Sequence, residues 1–398
     1  MISPIKITDR VYYLGVNDRR KHLFENMWPL PQGVAYNSYL IVDEKTALID
    51  TIECTVAADY IERIAAHLKG RKLDYLVVNH MEPDHAGMLG ALVAYYPELK
   101  IVGNNKTFKI LEGFFGITDN LIEVTDGGTL DLGHHKLQFV LTPWVHWPET
   151  MVTYDTTEQI LFSADAFGSF GTLDGGIFDD EINFDFYESE MRRYYSNIVG
   201  KYSGMVQKAL TKLKGTPVRI ICSTHGPIWR SESSKVINLY DKWSRHESDP
   251  GVVVAFASMY GHTEQMADYV ARRLAEQGVR DIRVFDVSKT HVSFLINEIW
   301  KYKGLILGSC AYNSEMHPMM SQLCNELLHI SIKNKELGIF GSSSWNGAGS
   351  KALQAFAEAS KLPLVAPVAE AQGKLTPDKA AAYDALAVAM AGKIQGGN

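Results

Sequence analysis

Apolar positions along the chain recur in two rhythms. Over the first ~245 residues, short apolar runs alternate irregularly with amphipathic stretches. "VYYLG", "NSYLIV" and "TALID" read as strands near the start, and "VAADYIERIAAHL" (56–68) carries apolar residues at helical spacing. "LDYLVVNH" reads as a buried strand and "AGMLGALVAYY" as the helix after it. "LQFVLTP", "MVTYD" and "QILFSAD" follow as strands separated by turn residues, and a long helical pattern over roughly 189–213 precedes the strand "VRIICSTHG". From 251 the rhythm becomes regular: "VVVAFAS", a helix over 263–276, "IRVFDV", a helix over 291–300, "KGLILGS", a helix, "ELGIFGS", a helix, and a terminal helix from about 376. Five βα units in about 148 residues predict a doubly wound parallel sheet. The polar, Pro-Gly-containing segment near 246–251 marks a boundary, giving domains over 1–249 and 250–398.

Composition narrows the class. The chain of 398 residues is 46% hydrophobic and 21% charged, with a net charge of −7, which argues against a nucleic-acid footprint or a basic membrane face. No apolar run reaches the ~18 residues of a membrane span, and the N-terminal "MISPIKITDR" lacks a signal-peptide core. Cysteines stand at 54, 222, 310 and 324 with no C-x-x-C pair. A disulfide framework is therefore not expected, Cys54 and Cys222 read as buried small apolar groups, and a reducing cytoplasm is the expected location.

The chemistry concentrates in "VVNHMEPDHAG" (77–87), where an apolar strand runs into His80, Glu82, Asp84 and His85. In an extended turn, residues two apart can converge on one centre while Asp84 and His85 face a second. Further single candidates follow apolar strands: His146 in "TPWVHWPE", Asp165 in "LFSADAFG" and His225 in "CSTHGP". A lone strand-end histidine is usually a surface residue. Seven such side chains at comparable positions are enough for two metals with open coordination positions. Three carboxylates beside four imidazoles, without thiolate, suit iron and oxygen chemistry better than a zinc hydrolase. Asp165 is the natural bridge, since its two oxygens can each bind one metal.

A second constellation lies beyond 250. In "FASMYGHTEQMA" (256–267), Ser258, Met259, Tyr260, Gly261, His262 and Thr263 surround a helix N-terminus, a setting for a phosphate monoester. No G-x-G-x-x-G is present, so a dinucleotide is not indicated. "GSCAYNSEMHP" places Ala311, Tyr312 and Asn313 at the next strand end, and "GSSSWNGAG" places Ser343, Ser344, Trp345, Asn346 and Gly347 at another. Tyr312 and Trp345 are positioned to stack on a flat ring. Together the three loops point to FMN.

These motifs resemble those of flavodiiron proteins, in which H-x-E-x-D-H replaces the H-x-H-x-D-H of zinc hydrolases and a flavodoxin-like domain follows. The resemblance covers nearly the whole chain, including "YNSYLIV", "TALIDT" and "HGPIWR". It implies an α/β chain with an N-terminal metallo-β-lactamase-like αββα domain followed by a flavodoxin-like sheet. It implies two non-haem irons, one held by His80, Glu82, His146 and Asp165, the other by Asp84, His85, Asp165 and His225. In some members the position of His85 is not a ligand. It further implies FMN, reduction of O2 to water or of NO to N2O, and a head-to-tail homodimer or dimer of dimers. His22 would stand beside the ligands, before "ENMWPLPQG" (25–33), a surface loop or a wall over the metals; Tyr194 or Tyr195 would approach the pocket. The electron donor would be a separate carrier, rubredoxin or reduced deazaflavin F420, since no rubredoxin module or dinucleotide fingerprint occurs before Asn398. Two rivals are a zinc hydrolase with an appended flavodoxin and a plain electron carrier with an inert first domain.

Overall fold

The structure is a computed structural model and describes residues 5–396. The first four residues, part of the segment read as lacking a signal-peptide core, and the last two lie outside the described residues. The chain divides into two compact units, Met1–Ser244 and Arg245–Asn398. Among the described residues no helix is long and apolar enough to cross a membrane.

The first unit is built on two sheets. One has seven strands in the order Ile5–Lys6, Val11–Tyr13, Tyr39–Val42, Thr46–Ile49, Tyr75–Val77, Lys100–Gly103 and Leu121–Glu123. Its first four strands pair antiparallel and the rest parallel. The other sheet runs Thr129–Asp131, Lys136–Leu141, Met151–Asp155, Ile160–Phe162 and Ile220–Cys222, with only the last pair parallel. Strands such as Thr46–Ile49 and Ile160–Phe162 are buried along their whole length, which is why they read as apolar runs without alternation. The sheets face each other: the Tyr39 and Phe162 rings lie 5.4 Å apart, and the Thr153 hydroxyl donates to Asn79 Oδ1 at 2.6 Å. Helices cover the outer faces; Tyr60–Leu68 turns Tyr60, Ile64 and Leu68 inward at intervals of four. This is the αββα architecture that the resemblance implies.

The helical pattern over 189–213 is broken into segments. Helix Phe184–Tyr194 passes into a π-helical turn, Tyr195–Val199, then a 3-10 turn, Gly200–Tyr202, and a second helix, Ser203–Leu213. Apolar periodicity survives across such a junction, so it cannot reveal the change in hydrogen-bond register.

The second unit is a parallel sheet in the order Ile282–Asp286, Asp249–Ala257, Tyr302–Tyr312, Glu336–Ser343 and Ala369–Gln372. In chain order this is 2-1-3-4-5, with the reversal between the first and third strands. The edge strand Ala369–Gln372 alternates buried and exposed and lacks the apolar run of the central strands. The terminal helix starts at Ala380, after a 3-10 turn over Pro377–Lys379.

Arg245–Ser248 falls in the second unit, ahead of its first strand. The His246 ring lies 4.9 Å from that of Trp300. The Lys335 ammonium is buried and donates to Ser248 Oγ at 2.5 Å and to the Trp300 and Tyr302 carbonyls at 3.0 and 2.9 Å. Burial pulls its pKa down to about 7. A fragment starting at Arg245 is therefore expected to resist urea better than one starting at Gly251, by about 1–3 kcal/mol for the lost acceptor to a buried donor. Coincident urea midpoints for the two fragments would refute this role for the segment.

Candidate functional site

The central loop starts where strand Tyr75–Val77 ends. Asn79 is clamped to Asp50 by its backbone N–H at 2.7 Å and its side-chain amide at 2.9 Å. The chain stays extended through His80 and Glu82, and Pro83 opens a short helix, Pro83–Ala86, that carries Asp84 and His85. The His85 carbonyl accepts from both the Thr51 N–H and its hydroxyl. The extended half and the helical half thus aim alternate side chains at two neighbouring points.

The opposite sheet supplies the rest. Asp165 follows strand Ile160–Phe162 in a turn where Ala164 (φ 50°) and Phe167 (φ 66°) both adopt left-handed backbone. Such strain persists only where surroundings over-determine it. Here the Ala164 carbonyl accepts from Thr224 N, and Thr224 Oγ1 donates to Asp165 Oδ1 at 2.7 Å. His225 follows strand Ile220–Cys222 and precedes Gly226 (φ 68°), where a Cβ would lie 2.0 Å from Ser169 Oγ.

The seven side chains form two adjoining groups: His80, Glu82, His146 and Asp165, and Asp84, His85 and His225. In the first group, Glu82 Oε2 lies 3.3 Å from His80 Nε2 and 3.0 Å from His146 Nε2. Asp165 Oδ2 lies 3.3 and 3.1 Å from the same two nitrogens. Its other oxygen, Oδ1, lies 2.8 Å from His85 Nε2 and 3.7 Å from His225 Nε2. Asp84 completes the second group at 3.4 Å from each of these histidines. Atoms about 2.1 Å from a shared metal stand roughly 3–3.4 Å apart, so most of these separations are those of a coordination shell. Asp165 offers one oxygen to each group.

All seven are buried. Both Asp84 oxygens, His85 Nδ1 and His225 Nε2 lack a hydrogen-bond partner among the described residues. Buried polar atoms are rarely left so, and cations at the two groups would satisfy all of these except His85 Nδ1, which faces away from the carboxylates; the residues therefore fit a two-metal centre. Burial would raise the Asp165 carboxyl, but His85 and His80 overcome it and hold the pKa well below the usual range. Burial likewise opposes charge on His146, yet its bonds to Asp165 and Glu82 push its pKa up to about 9.

A second layer orients the rings. His80 Nδ1 lies 2.8 Å from Glu149 Oε1, which also accepts from Met81 N at 3.0 Å. His225 Nδ1 lies 2.8 Å from the Ala35 carbonyl. Both contacts put the proton on Nδ1 and leave Nε2 for a metal. Sequence reasoning passed over Glu149; its position three residues after His146, in "HWPE", was the available signal.

Tyr194 is fully buried, its ring 5.4 Å from that of His225 and its hydroxyl without a hydrogen-bond partner among the described residues. Burial and then the nearby carboxylates raise its pKa far enough to keep the phenol neutral. Tyr195 instead bonds Ser203 Oγ at 3.0 Å and packs on Tyr240 and Trp243. His22 is exposed. From that segment it is Phe24 that reaches the cluster, with its ring 5.4 Å from His225. Leu23–Phe24 and Trp28–Pro29 form a small hairpin with Phe24 and Trp28 buried, so "ENMWPLPQG" contributes a wall. Arg193 holds this wall through the Pro29 carbonyl at 3.1 Å. Cys222 is buried, as expected, but Cys54 is exposed: it sits in a 3-10 turn with no inward face.

In the second unit the three loops lie at the carboxyl ends of neighbouring strands. Helix His262–Glu276 starts after Gly261 (φ 88°) with no side chain capping its N-terminus, so its first N–H groups are available to an anion. Ser258 Oγ accepts from Gly261 N at 3.0 Å, and the Thr263 and Ser342 hydroxyls bond at 2.7 Å. Tyr260 and Trp345 are 89% and 83% exposed, unusual for aromatic side chains. An uncapped N-terminus beside bare aromatics fits a phosphorylated flat ring.

Comparisons with known proteins agree with this geometry. Residues 34–226 match the family described as ODP family beta lactamase, and 254–383 match Flavodoxin. The chain is 32% identical over 349 residues to an anaerobic nitric oxide reductase flavorubredoxin of Escherichia coli O1:K1 / APEC, covering 86% of this chain and 73% of that one. It superposes on the rubredoxin oxygen:oxidoreductase of Desulfovibrio gigas with a TM-score of 0.94 and 29% identity, covering 99% of both chains. A variant flavo di-iron protein from Thermotoga maritima gives a TM-score of 0.89 and 27% identity, over 99% of this chain and 100% of that one.

Replacing Glu149 by Gln exchanges the acceptor that fixes the His80 tautomer for an amide. Metal affinity at the first group is expected to fall about 10- to 100-fold, read by competition with a chelator. Unchanged affinity would remove Glu149 from the site.

Proposed function

Because the chain belongs to the flavodiiron proteins, we propose that its two units divide the work of an oxidoreductase. The first unit holds two irons: His80, Glu82, His146 and Asp165 bind one, and Asp84, His85, Asp165 and His225 the other. The second unit holds FMN, its phosphate at 258–263 and its ring against Tyr312 and Trp345, with 311–313 and 343–347 completing the loops. Bound there, FMN and the iron pair supply the passage of electrons from an external donor and the centre at which O2 is reduced to water or NO to N2O.

The observation that carries this reading is the split of the Asp165 oxygens between two buried groups, the second of which leaves both Asp84 oxygens and His225 Nε2 without a hydrogen-bond partner among the described residues. The protein's own part is to hold and to exclude. Glu149 and the Ala35 carbonyl keep the His80 and His225 rings in the binding tautomer. Phe24, Trp28 and Phe170 keep water from the cluster, Phe24 and Phe170 packing on Tyr194. The neutral Tyr194 hydroxyl is placed to donate to an oxygen atom of a diatomic substrate. Glu82 supplies a hard anionic donor where an imidazole would favour zinc.

The donor is rubredoxin or a reduced deazaflavin; similarity to the rubredoxin oxygen:oxidoreductase of Desulfovibrio gigas supports the first. The working form is a homodimer, and the free cysteines fit a reducing cytoplasm.

Asp165→Ala is expected to lose at least one iron and all turnover while keeping its flavin. Metal analysis with a flavin spectrum checks this, and full activity in the variant would end the ligand assignment. The function itself is tested by following O2 and NO consumption with NADH alone and with NADH, a rubredoxin and its reductase. Consumption is expected only with the carrier system. Rapid uptake with NADH alone would overturn the donor assignment, and a zinc-loaded protein that consumes neither gas would restore the hydrolase reading.

A further inference from the structure

His146, Asp165 and His225 emerge from one end of the five-stranded sheet. The opposite ends of the same strands carry a separate group, His134, His135 and Glu158, with one ligand atom from each within 4.8 Å of the others. His134 and His135 sit in the turn between Thr129–Asp131 and Lys136–Leu141, and Glu158 in the turn between Met151–Asp155 and Ile160–Phe162. The five-residue strand Met151–Asp155 keeps the two groups roughly 15 Å apart along the sheet.

His135 is 0% exposed, and its Nδ1 lies 2.8 Å from Asp155 Oδ2. The carboxylate accepts the Nδ1 proton, so the neutral ring keeps its lone pair on Nε2. That nitrogen is buried with no hydrogen-bond partner among the described residues, and so is Glu158 Oε2. A carboxylate-oriented imidazole with a bare Nε2 is how metal-binding histidines are usually presented. The turns are already tied together. Thr157 N donates to Asp155 Oδ1 at 3.0 Å, Glu158 N to Asp155 Oδ2 at 3.3 Å, and Thr157 Oγ1 to the His134 carbonyl at 2.9 Å. Asp155 therefore serves both as orienter of His135 and as anchor of the Glu158 turn.

We infer that His134, His135 and Glu158 form an accessory site for a borderline divalent cation of the Zn2+ class, stapling the two turns at the end of the sheet remote from the irons. Two imidazoles and a carboxylate offer too few oxygens for Ca2+ or Mg2+ and no sulfur for Cu(I). The competitor for the site is a proton on His135, paired with Asp155 and Glu158. The inference stands apart from the proposed function, because these residues lie at the opposite end of the sheet from the proposed iron ligands.

The test uses the full chain with its irons and flavin in place. It is mixed with ZnCl2, passed through a desalting column, and zinc and iron are counted together. One zinc per chain is expected with no loss of iron. His134→Ala, at an exposed position, and Glu158→Gln, at a half-buried one, are expected to abolish that zinc and leave the iron count and flavin spectrum unchanged. Asp155→Asn is expected to weaken zinc binding about 10- to 100-fold. No zinc retained by the native chain would overturn the site, the proton having won. Equal zinc in the two variants, or zinc gained only as iron is lost, would overturn it as well.

Discussion

Asp165 sits with no solvent exposure between four imidazoles, each of its oxygens turned to a different pair. A buried carboxylate with two unlike neighbourhoods must be compensated on both sides, because desolvation alone would force it to take up a proton. Much of the first unit can be read as the means of that compensation. One sheet delivers His80, Glu82, Asp84 and His85 from a single loop, and the other delivers His146, Asp165 and His225 from three. The strained turn at Ala164 and Phe167 and the Thr224 hydroxyl hold the carboxylate where both groups can use it.

Charge sets what such a site accepts. Three carboxylates balance four formal positive charges from two divalent ions more closely than a mainly imidazole set would. In the proposed diiron centre, Glu82 would therefore bear on the choice of metal as well as on its geometry. Beyond the ligands, Glu149 and the Ala35 carbonyl determine which ring nitrogen is free. The hairpin carrying Phe24 and Trp28 lowers the local dielectric and strengthens every charge interaction beneath it.

The second unit works by different physics. It presents backbone N–H groups, hydroxyls and flat rings from three strand ends at the reversal of strand order, with no comparable cluster of metal-ligating side chains among the described residues. The Lys335 ammonium, gripped by Ser248 and two carbonyls, shows that this unit begins before its first strand.

The doubly wound fold and the candidate ligand types were legible in the sequence for local reasons, whereas the αββα fold was read only through the family resemblance. Buried strands read as apolar runs, and chemistry-bearing residues follow them at turns, so His80, Glu82, Asp84, His85, His146, Asp165 and His225 could be named from order alone. The edge strand Ala369–Gln372 escaped because an edge needs little apolar surface, and the π turn at Tyr195–Val199 because periodicity does not record hydrogen-bond register. Whether Tyr194 or Tyr195 faces the cluster was decided by that turn. The roles of Glu149 and Phe24, and the pairing of His135 with Asp155, join residues 69, 201 and 20 positions apart. The first depends on how the two sheets are brought face to face, the second on where a separate hairpin folds, and the third on which strands of one sheet lie side by side, and no local pattern carries that information.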